Sequence, residues 1–331
     1  MNWTYITAFF LSLFISLYSV PYVMGIAEKK RVYDRPDKKR KIHSTLIPLW
    51  GGIGIYVSFY LTLLLLFLLF PSVREIFLSK NFREKTFGIF LASTLILLTG
   101  ASDDRRPLQP TVKLLLQIIA TFIVILYGIK VTGLNLPFFK YIHFPKLIMI
   151  IFTTLWLIGF TNVINLVDGL DGLAGGITVI ASITFFLVNL IQAEHGVIQE
   201  QLIPSSIFSL LIAGSTLGFL YYNFYPANIF LGDSGSLFLG FMLGITTILG
   251  MLKLVASIAL IIPIIVVALP IFDVILAIIR RAKKGKSIME ADSSHFHHIL
   301  LKLGWNQREV VLLIYNITLI LSIIAILIAT L

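Results

Sequence analysis

The sequence predicts an all-α polytopic membrane protein of about ten transmembrane helices with a polar site at its cytoplasmic face. Three observations predict it. Hydrophobic residues make up 58% of the 331 and charged residues only 13%, against about 25% charged in a typical soluble domain. Apolar runs of about 20 residues, the length that crosses a bilayer as a helix, recur from end to end. The aspartates between those runs converge on one side of the membrane.

Ten spans are predicted, at residues 3–24, 48–70, 86–102, 111–128, 147–164, 173–191, 204–222, 235–251, 254–279 and 309–330. The first run has no basic start, is long and is followed by no small-residue cleavage site, so it reads as a span rather than a cleaved leader. No separate soluble domain fits between the spans, and residues 1–331 read as one integral-membrane domain. The absence of cysteine excludes disulfides and thiolate metal sites. The formal charge of +10 is explained by basic loops that set orientation, not by nucleic-acid binding.

Those basic residues decide the sidedness. Eight lie in the loop after span 1, three at the loop after span 3 and seven around the loop after span 9, which is 18 of the 26. The bias places these loops in the cytoplasm and both termini outside. Asp103, Asp104, Asp168, Asp171, Asp233, Asp273 and Asp292 fall at cytoplasmic span ends or loops, whereas the outer face carries only scattered glutamates. A carboxylate is costly within a bilayer but tolerable where water reaches the end of a span.

In NVINLVDGLDGLAGG, residues 162–176, the polar side chains Asn162, Asn165, Asp168 and Asp171 recur every third position. Each step falls about 60° short of a helical turn, so the first three share a broad stripe and the fourth drifts off it. Gly169 and Gly172 can end or kink the helix and free backbone N–H groups to face an anion or a base. A capped helix end, an ion pathway and a catalytic site all fit this pattern. Asp103 and Asp104 open DDRRPLQP; adjacent carboxylates repel unless a cation joins them, and oxygen pairs of this kind suit Mg²⁺ or Mn²⁺. A hydrated turn neutralised by Arg105 and Arg106 is the plainer alternative.

NIFLGDSGSLFLG, residues 228–240, sets Asp233 between two glycines where span 8 begins. The following Ser-Gly-Ser offers donors at a helix N-terminus, an anion-binding arrangement. Asp233 reads as a helix cap or, beside the other aspartates, as a metal ligand facing a phosphate. Asn223 and Phe230, just upstream, suit either a base or the interfacial belt. SSHFHH holds His295, His297 and His298 in a basic loop. The spacing matches no zinc site, which leaves phosphate contact or simple solvation. The run DRPDKKRKIH before span 2 can orient the chain, meet anionic lipid or attract a polyanionic substrate.

With these segments in order, the chain resembles the polyprenyl-phosphate N-acetylhexosamine-1-phosphate transferases, the glycosyltransferase family 4 type, over nearly its whole length. DRPDKKRKIH, Asp103-Asp104, NVINLVDGLDGLAGG, NFYPANIFLGDSGS and the SHFHH loop carry the resemblance. It implies a multi-pass enzyme of the cell (inner) membrane, with ten or eleven helices and its active-site cleft facing the cytoplasm. It further implies that a UDP-N-acetylhexosamine gives its sugar 1-phosphate to a polyprenyl phosphate, with Mg²⁺ (or Mn²⁺) required and UMP released. Asp233 matches the family's metal aspartate. Asp103 and Asp104 match its aspartate pair, assigned to metal binding or to activating the lipid phosphate. Leu170, Asp171 and Phe230 match positions around the uracil, and Asn165, Asp168 and Asn223 match residues lining the nucleotide-sugar cleft. Lys113 matches, in a looser register, a basic residue near the phosphates, and His295, His297 and His298 match the family's H-x-H-H element. Ser293 and Ile299 stand where many members have arginine, a departure in the diphosphate contacts.

SHFHHILLKLGW lacks the contiguous histidine triplet of the phospho-N-acetylmuramoyl-pentapeptide transferases. The expected donor is therefore UDP-N-acetylglucosamine and the expected product the starting lipid of a teichoic acid, lipopolysaccharide O-antigen or related cell-wall glycan. One-step transfer and a two-step route through a phospho-aspartate, most plausibly at Asp168, are both compatible with these residues. From a different class, a cation-coupled transporter would use aspartates in spans, with Asp273 the best candidate. A homodimer stays open as the assembly, since many polytopic enzymes of this kind dimerise.

Overall fold

The computed structural model describes residues 2–34, 46–134, 142–194, 199–250, 261–283 and 296–330. The helices are α1 (Asn2–Lys29), α2 (Gly51–Leu69), α3 (Pro71–Leu78), α4 (Lys80–Arg105), α5 (Pro110–Leu126), α6 (Lys146–Val167) and α7 (Leu173–Glu194). They continue with α8 (Gln199–Asn223), α9 (Gly232–Leu249), α10 (Ile261–Val266), α11 (Ala268–Lys283), α12 (Phe296–Lys302) and α13 (Gln307–Ala329). Two short antiparallel ribbons pair β1 (Tyr33–Asp34) with β2 (Ile47–Pro48) and β3 (Gly133–Leu134) with β4 (Ile142–His143).

Among the described residues, eight helices are long and apolar enough to cross a membrane. Seven of them coincide with predicted spans 1, 2, 3, 5, 6, 7 and 8, and the eighth with the last. Predicted span 4 is α5, apolar but only 17 residues long. Predicted span 9 departs further. Its described part is two helices broken at Val267. Pro270 supplies no N–H for the carbonyl of Val266, and its ring crowds that carbonyl, which weakens the helix where the break falls. Prolines also begin α3 and α5 at their first positions, where no N–H is needed.

Helices α8 and α9 form the centre, and α1 and α13 lie at the rim. α1 turns Trp3, Phe10, Phe14, Tyr18 and Tyr22 outward, the face that a bilayer would cover. Lipid gives no hydrophobic drive for helices to associate, so close contact depends on small residues and hydrogen bonds. Ser12, Ser16, Gly214 and Gly218 bring α1 and α8 together, with the Ser16 hydroxyl donating to the Ser215 carbonyl at 2.6 Å.

The same device positions the start of α9. A Cβ on Gly52 of α2 would overlap the backbone at Ser234 and Gly235, and one on Gly100 of α4 would overlap that at Asp233 and Ser234. The first amides of α2 are satisfied from this segment, Gly51 N–H donating to Phe230 O and Gly52 N–H to Leu231 O, both at 3.1 Å. α2, α4 and α9 therefore meet backbone to backbone at one end of the bundle.

Candidate active site

At that meeting point, the last turn of α4 presents Asp103 and Asp104 in different directions. The Asp103 carboxylate accepts the Leu108 N–H at 2.8 Å, which folds the loop back, and faces Lys113 Nζ at 3.3 Å. Asp104 points at the start of α9. Its Oδ1 accepts the N–H of Asp233 at 2.7 Å and its Oδ2 that of Ser234 at 3.2 Å. The sequence marks this N-terminus as an anion site, and the anion there is Asp104 itself. Gly232 makes room for it: its φ is +71° and a Cβ would lie 2.5 Å from Asp104 Oδ2.

Asp233 lies one residue into α9 and is partly open to its surroundings. It forms an ion pair with Lys113 of α5, and its Oδ1 accepts from Asn165 Nδ2 of α6 at 3.0 Å. The same Asn165 amide donates to Ser236 Oγ at 2.9 Å. Lys113, Asp103 and Asp233 each keep about a fifth of their side-chain surface open, 22%, 18% and 23%. One turn deeper, Asn162 Nδ2 donates to Gln117 Oε1 at 2.7 Å and ties α6 to α5. Gln117 was not expected at the site. Its signal was a lone amide one turn after Lys113 in an apolar run.

Asp168 ends α6 and completes the cluster. Among the described residues its carboxylate receives no hydrogen bond, and its electrostatic neighbours are Asp233, Asp104 and Asp171. Burial first, and those like charges second, hold its carboxyl well above the usual carboxylate range. A group raised in this way stabilises the fold when protonated. That contribution is full below the unfolded value of about 4 and is lost as pH rises through the folded one. Asp168→Asn should therefore raise the melting temperature of the metal-free protein at pH 8 and flatten its decline with pH. Thermal melts in EDTA from pH 5 to 8 would show it, and a variant that melts below wild type at pH 8 would contradict the reading.

The rest of the acidic turn is held from two sides. Asp171 Oδ2 accepts the Ala227 N–H at 3.0 Å. Asn223 is 4% exposed; its Oδ1 accepts from Gly172 N–H at 3.0 Å and its Nδ2 donates to Ile229 O at 2.9 Å. Asn223 thus spends both ends of its amide on joining the turn to the 223–229 loop. Leu170 is buried among Val167, Leu173, Val310 and Ile314. Phe230 contributes backbone, its N–H donating to Pro48 O at 2.9 Å. His297 and His298 lie in the first turn of α12, and His295 is outside the described residues, as is the basic run 35–45. Asp273 is buried in α11.

The chemistry of the donors fits a hard divalent cation. Asp233 and Asp168 are electrostatic neighbours that bring carboxylate oxygens together, and Lys113 pairs with Asp233 and Asp103. Among the described residues no three acidic or histidine side chains close into a ready cage. Mg²⁺ needs none, since it is commonly held by one or two carboxylates together with substrate phosphate and water.

Residues 86–251 match the model of glycosyl transferase family 4. The chain is 36% identical over 327 residues to a Bacillus subtilis (strain 168) protein named "Probable undecaprenyl-phosphate N-acetylglucosaminyl 1-phosphate transferase", covering 97% of this chain and 84% of that protein. It is 33% identical over 293 residues to the decaprenyl-phosphate N-acetylglucosaminephosphotransferase of Mycolicibacterium smegmatis, covering 84% and 71%. It is 30% identical over 346 residues to the phospho-N-acetylmuramoyl-pentapeptide-transferase of Nitratiruptor sp., covering 96% and 92%.

Proposed function

The chain belongs to glycosyl transferase family 4, and we propose that it transfers N-acetylglucosamine 1-phosphate from UDP-N-acetylglucosamine to undecaprenyl or another polyprenyl phosphate, releasing UMP. The observation that carries the reading to these residues is Lys113, held between Asp103 and Asp233 with Asp168 beside Asp233 at one end of the bundle. The higher identity to the N-acetylglucosaminyl relative than to the pentapeptide transferase, 36% against 30%, supports the donor.

Two anions must meet, a lipid phosphate and a nucleotide diphosphate, and their repulsion is the main electrostatic obstacle. Lys113 is the cation placed between them. Its two aspartate partners hold the ammonium in a fixed direction, so little reorganisation is needed as charge moves. A lipid phosphate oxygen attacks the β-phosphorus in line; the bond to the bridging oxygen breaks, and UMP leaves with that electron pair. A phosphate monoester with a second pKa near about 6 is largely dianionic at neutral pH, so no general base is required. Positioning then supplies much of the rate. Asp233, with Asp168 beside it, would hold Mg²⁺, and the bound ion would add to the neutralisation of the diphosphate. Asp104 serves by fixing α9, and with it Asp233.

We infer the cytoplasmic facing of this end from the basic residues that the sequence sets after spans 1, 3 and 9; nucleotide sugar is present there, while the acceptor stays in the inner-membrane bilayer. The exposed apolar faces suit a lipid-embedded chain, as monomer or homodimer. A transporter reading has less support, because the carboxylates stop at one end of the bundle. The test is a transfer assay on purified protein with polyprenyl phosphate, Mg²⁺ and UDP-N-acetylglucosamine. Metal-dependent UMP release and lipid-linked sugar are expected. Product with a different UDP-N-acetylhexosamine alone would correct the donor, and no turnover with any donor would remove the enzyme reading.

A further inference from the structure

The acidic turn has a third restraint that comes from outside the matched family region. Tyr315 of α13 donates its hydroxyl to the Gly172 carbonyl at 2.5 Å, across 143 residues of sequence. That carbonyl also accepts the Gly176 N–H at 2.9 Å, the first helical bond of α7. With Asn223 on the Gly172 N–H, both polar groups of this one peptide position are engaged from α8 and α13. Gly172 has φ +81°, a conformation that side chains disfavour. The hydroxyl end of the Tyr315 ring lies against Gly176, where a Cβ would overlap its Cζ and Oη. The second glycine of the AGG run is therefore the seat of this ring.

α13 is in turn joined firmly to the histidine-bearing helix. α12 ends in a Schellman turn, with Gly304 at φ +94°, Gly304 N–H donating to Leu301 O at 3.1 Å and Trp305 N–H to Leu300 O at 3.2 Å. α13 starts with a reciprocal cap in which the Asn306 side chain accepts Glu309 N–H and the Glu309 side chain accepts Asn306 N–H, both at 2.9 Å. Leu300 and Leu301 pack on the same small core as Val167, Leu170, Leu173, Val310 and Ile314. The acidic turn rests on α12 and α13 as one body.

We propose that Tyr315 is a positioning residue for the nucleotide-sugar site: it fixes the Asp168–Gly172 turn and couples that turn to the helix carrying His297 and His298. The inference rests on the reading that this turn faces the UDP-sugar. Tyr315 acts through Gly172 and does not itself touch substrate.

Tyr315→Phe removes one oxygen and keeps the ring on Gly176. Two measurements on the full-length protein decide the matter. Amide hydrogen exchange across residues 168–173 without ligand should become about three- to tenfold faster, the range of one lost hydrogen bond. The Kd for UDP and the KM for UDP-N-acetylglucosamine should rise by a similar factor, with the KM for polyprenyl phosphate unchanged. Thr318→Val, which removes a bond internal to α13 (Thr318 Oγ1 to Ile314 O, 2.9 Å), should change neither. Wild-type exchange in the turn of Tyr315→Phe would overturn the proposal, as would equal weakening of donor and acceptor or the same effect from Thr318→Val. If wild type binds no UDP, the transfer reading fails, and the exchange measurement still decides whether Tyr315 fixes the turn.

Discussion

Asp233→Asn should lower transfer by at least about 10³-fold while the protein still folds. Removing a single preorganised hydrogen-bond donor at a reacting oxygen already costs about 10²–10³ in rate. Here the change removes a full charge that is paired with Lys113 and that the proposed mechanism also uses to hold the cation. The replacement amide brings two N–H groups to a site whose neighbours, Lys113 Nζ and Asn165 Nδ2, are already donors. Only one acceptor oxygen is left for two donors, so one of these contacts must rearrange, and Lys113 keeps a charged partner in Asp103 alone of the two. The fold should survive because the structural bonds at this corner belong to the Asp233 backbone N–H, which Asp104 holds. UMP release with saturating Mg²⁺ and a thermal melt, taken together, give the check. Turnover within tenfold of wild type would remove Asp233 from the centre of the mechanism.

The second large effect comes from a residue with no side chain. Gly52→Ala should cost about 1–3 kcal/mol, the usual range for overpacking, and reduce transfer about 10²-fold. The new methyl would overlap the Ser234 carbonyl carbon and the Gly235 nitrogen and Cα. These are backbone atoms, so no rotamer change relieves the contact. α2 and the start of α9 must separate, and Asp233 moves with α9. A displacement of about 1 Å at a catalytic group can cost about 10²-fold. Gly100→Ala should behave alike from the α4 side. Gly159→Ala is the control: a Cβ there meets nothing within 4 Å, and the exchange of glycine for alanine within a helix favours the helix by up to about 1 kcal/mol. Thermal melts and kcat for the three variants decide it. A Gly52→Ala enzyme with wild-type kcat would show that α9 tolerates displacement.

Much of this arrangement could be read from the chain, because lipid constrains it strongly. Spans such as α6 and α7 announce themselves by length and apolarity, and Asp103, Asp168 and Asp233 by their cost in such a setting. The break at Val267 was foreshadowed by Pro270 but not readable as two helices, since prolines also occur in kinked spans. Neighbouring carboxylates gave no means of telling which would meet Lys113 and which would meet a helix start; that depends on the rotation of α4. Asn223 looked like a cleft residue because it is polar and precedes the GDSGS segment. Its buried amide also joins the acidic turn to the 223–229 loop, through one bond at its oxygen and one at its nitrogen, a structural use that the sequence does not announce. Tyr315 gave no signal at all, being one aromatic in an apolar run far from the glycines it covers.

The bond between Asp104 and the start of α9 also has a bearing on how the protein is made. Asp104 leaves the ribosome 129 residues before the amide that it accepts. Until α9 enters the bilayer, this carboxylate has no helix end to cap and must stay hydrated at the membrane surface. This contact cannot exist in a half-inserted chain. A truncated product released after α8 would carry Asp103 and Lys113 but neither Asp233 nor the amides that Asp104 holds, and so would have no competent site to expose during biogenesis.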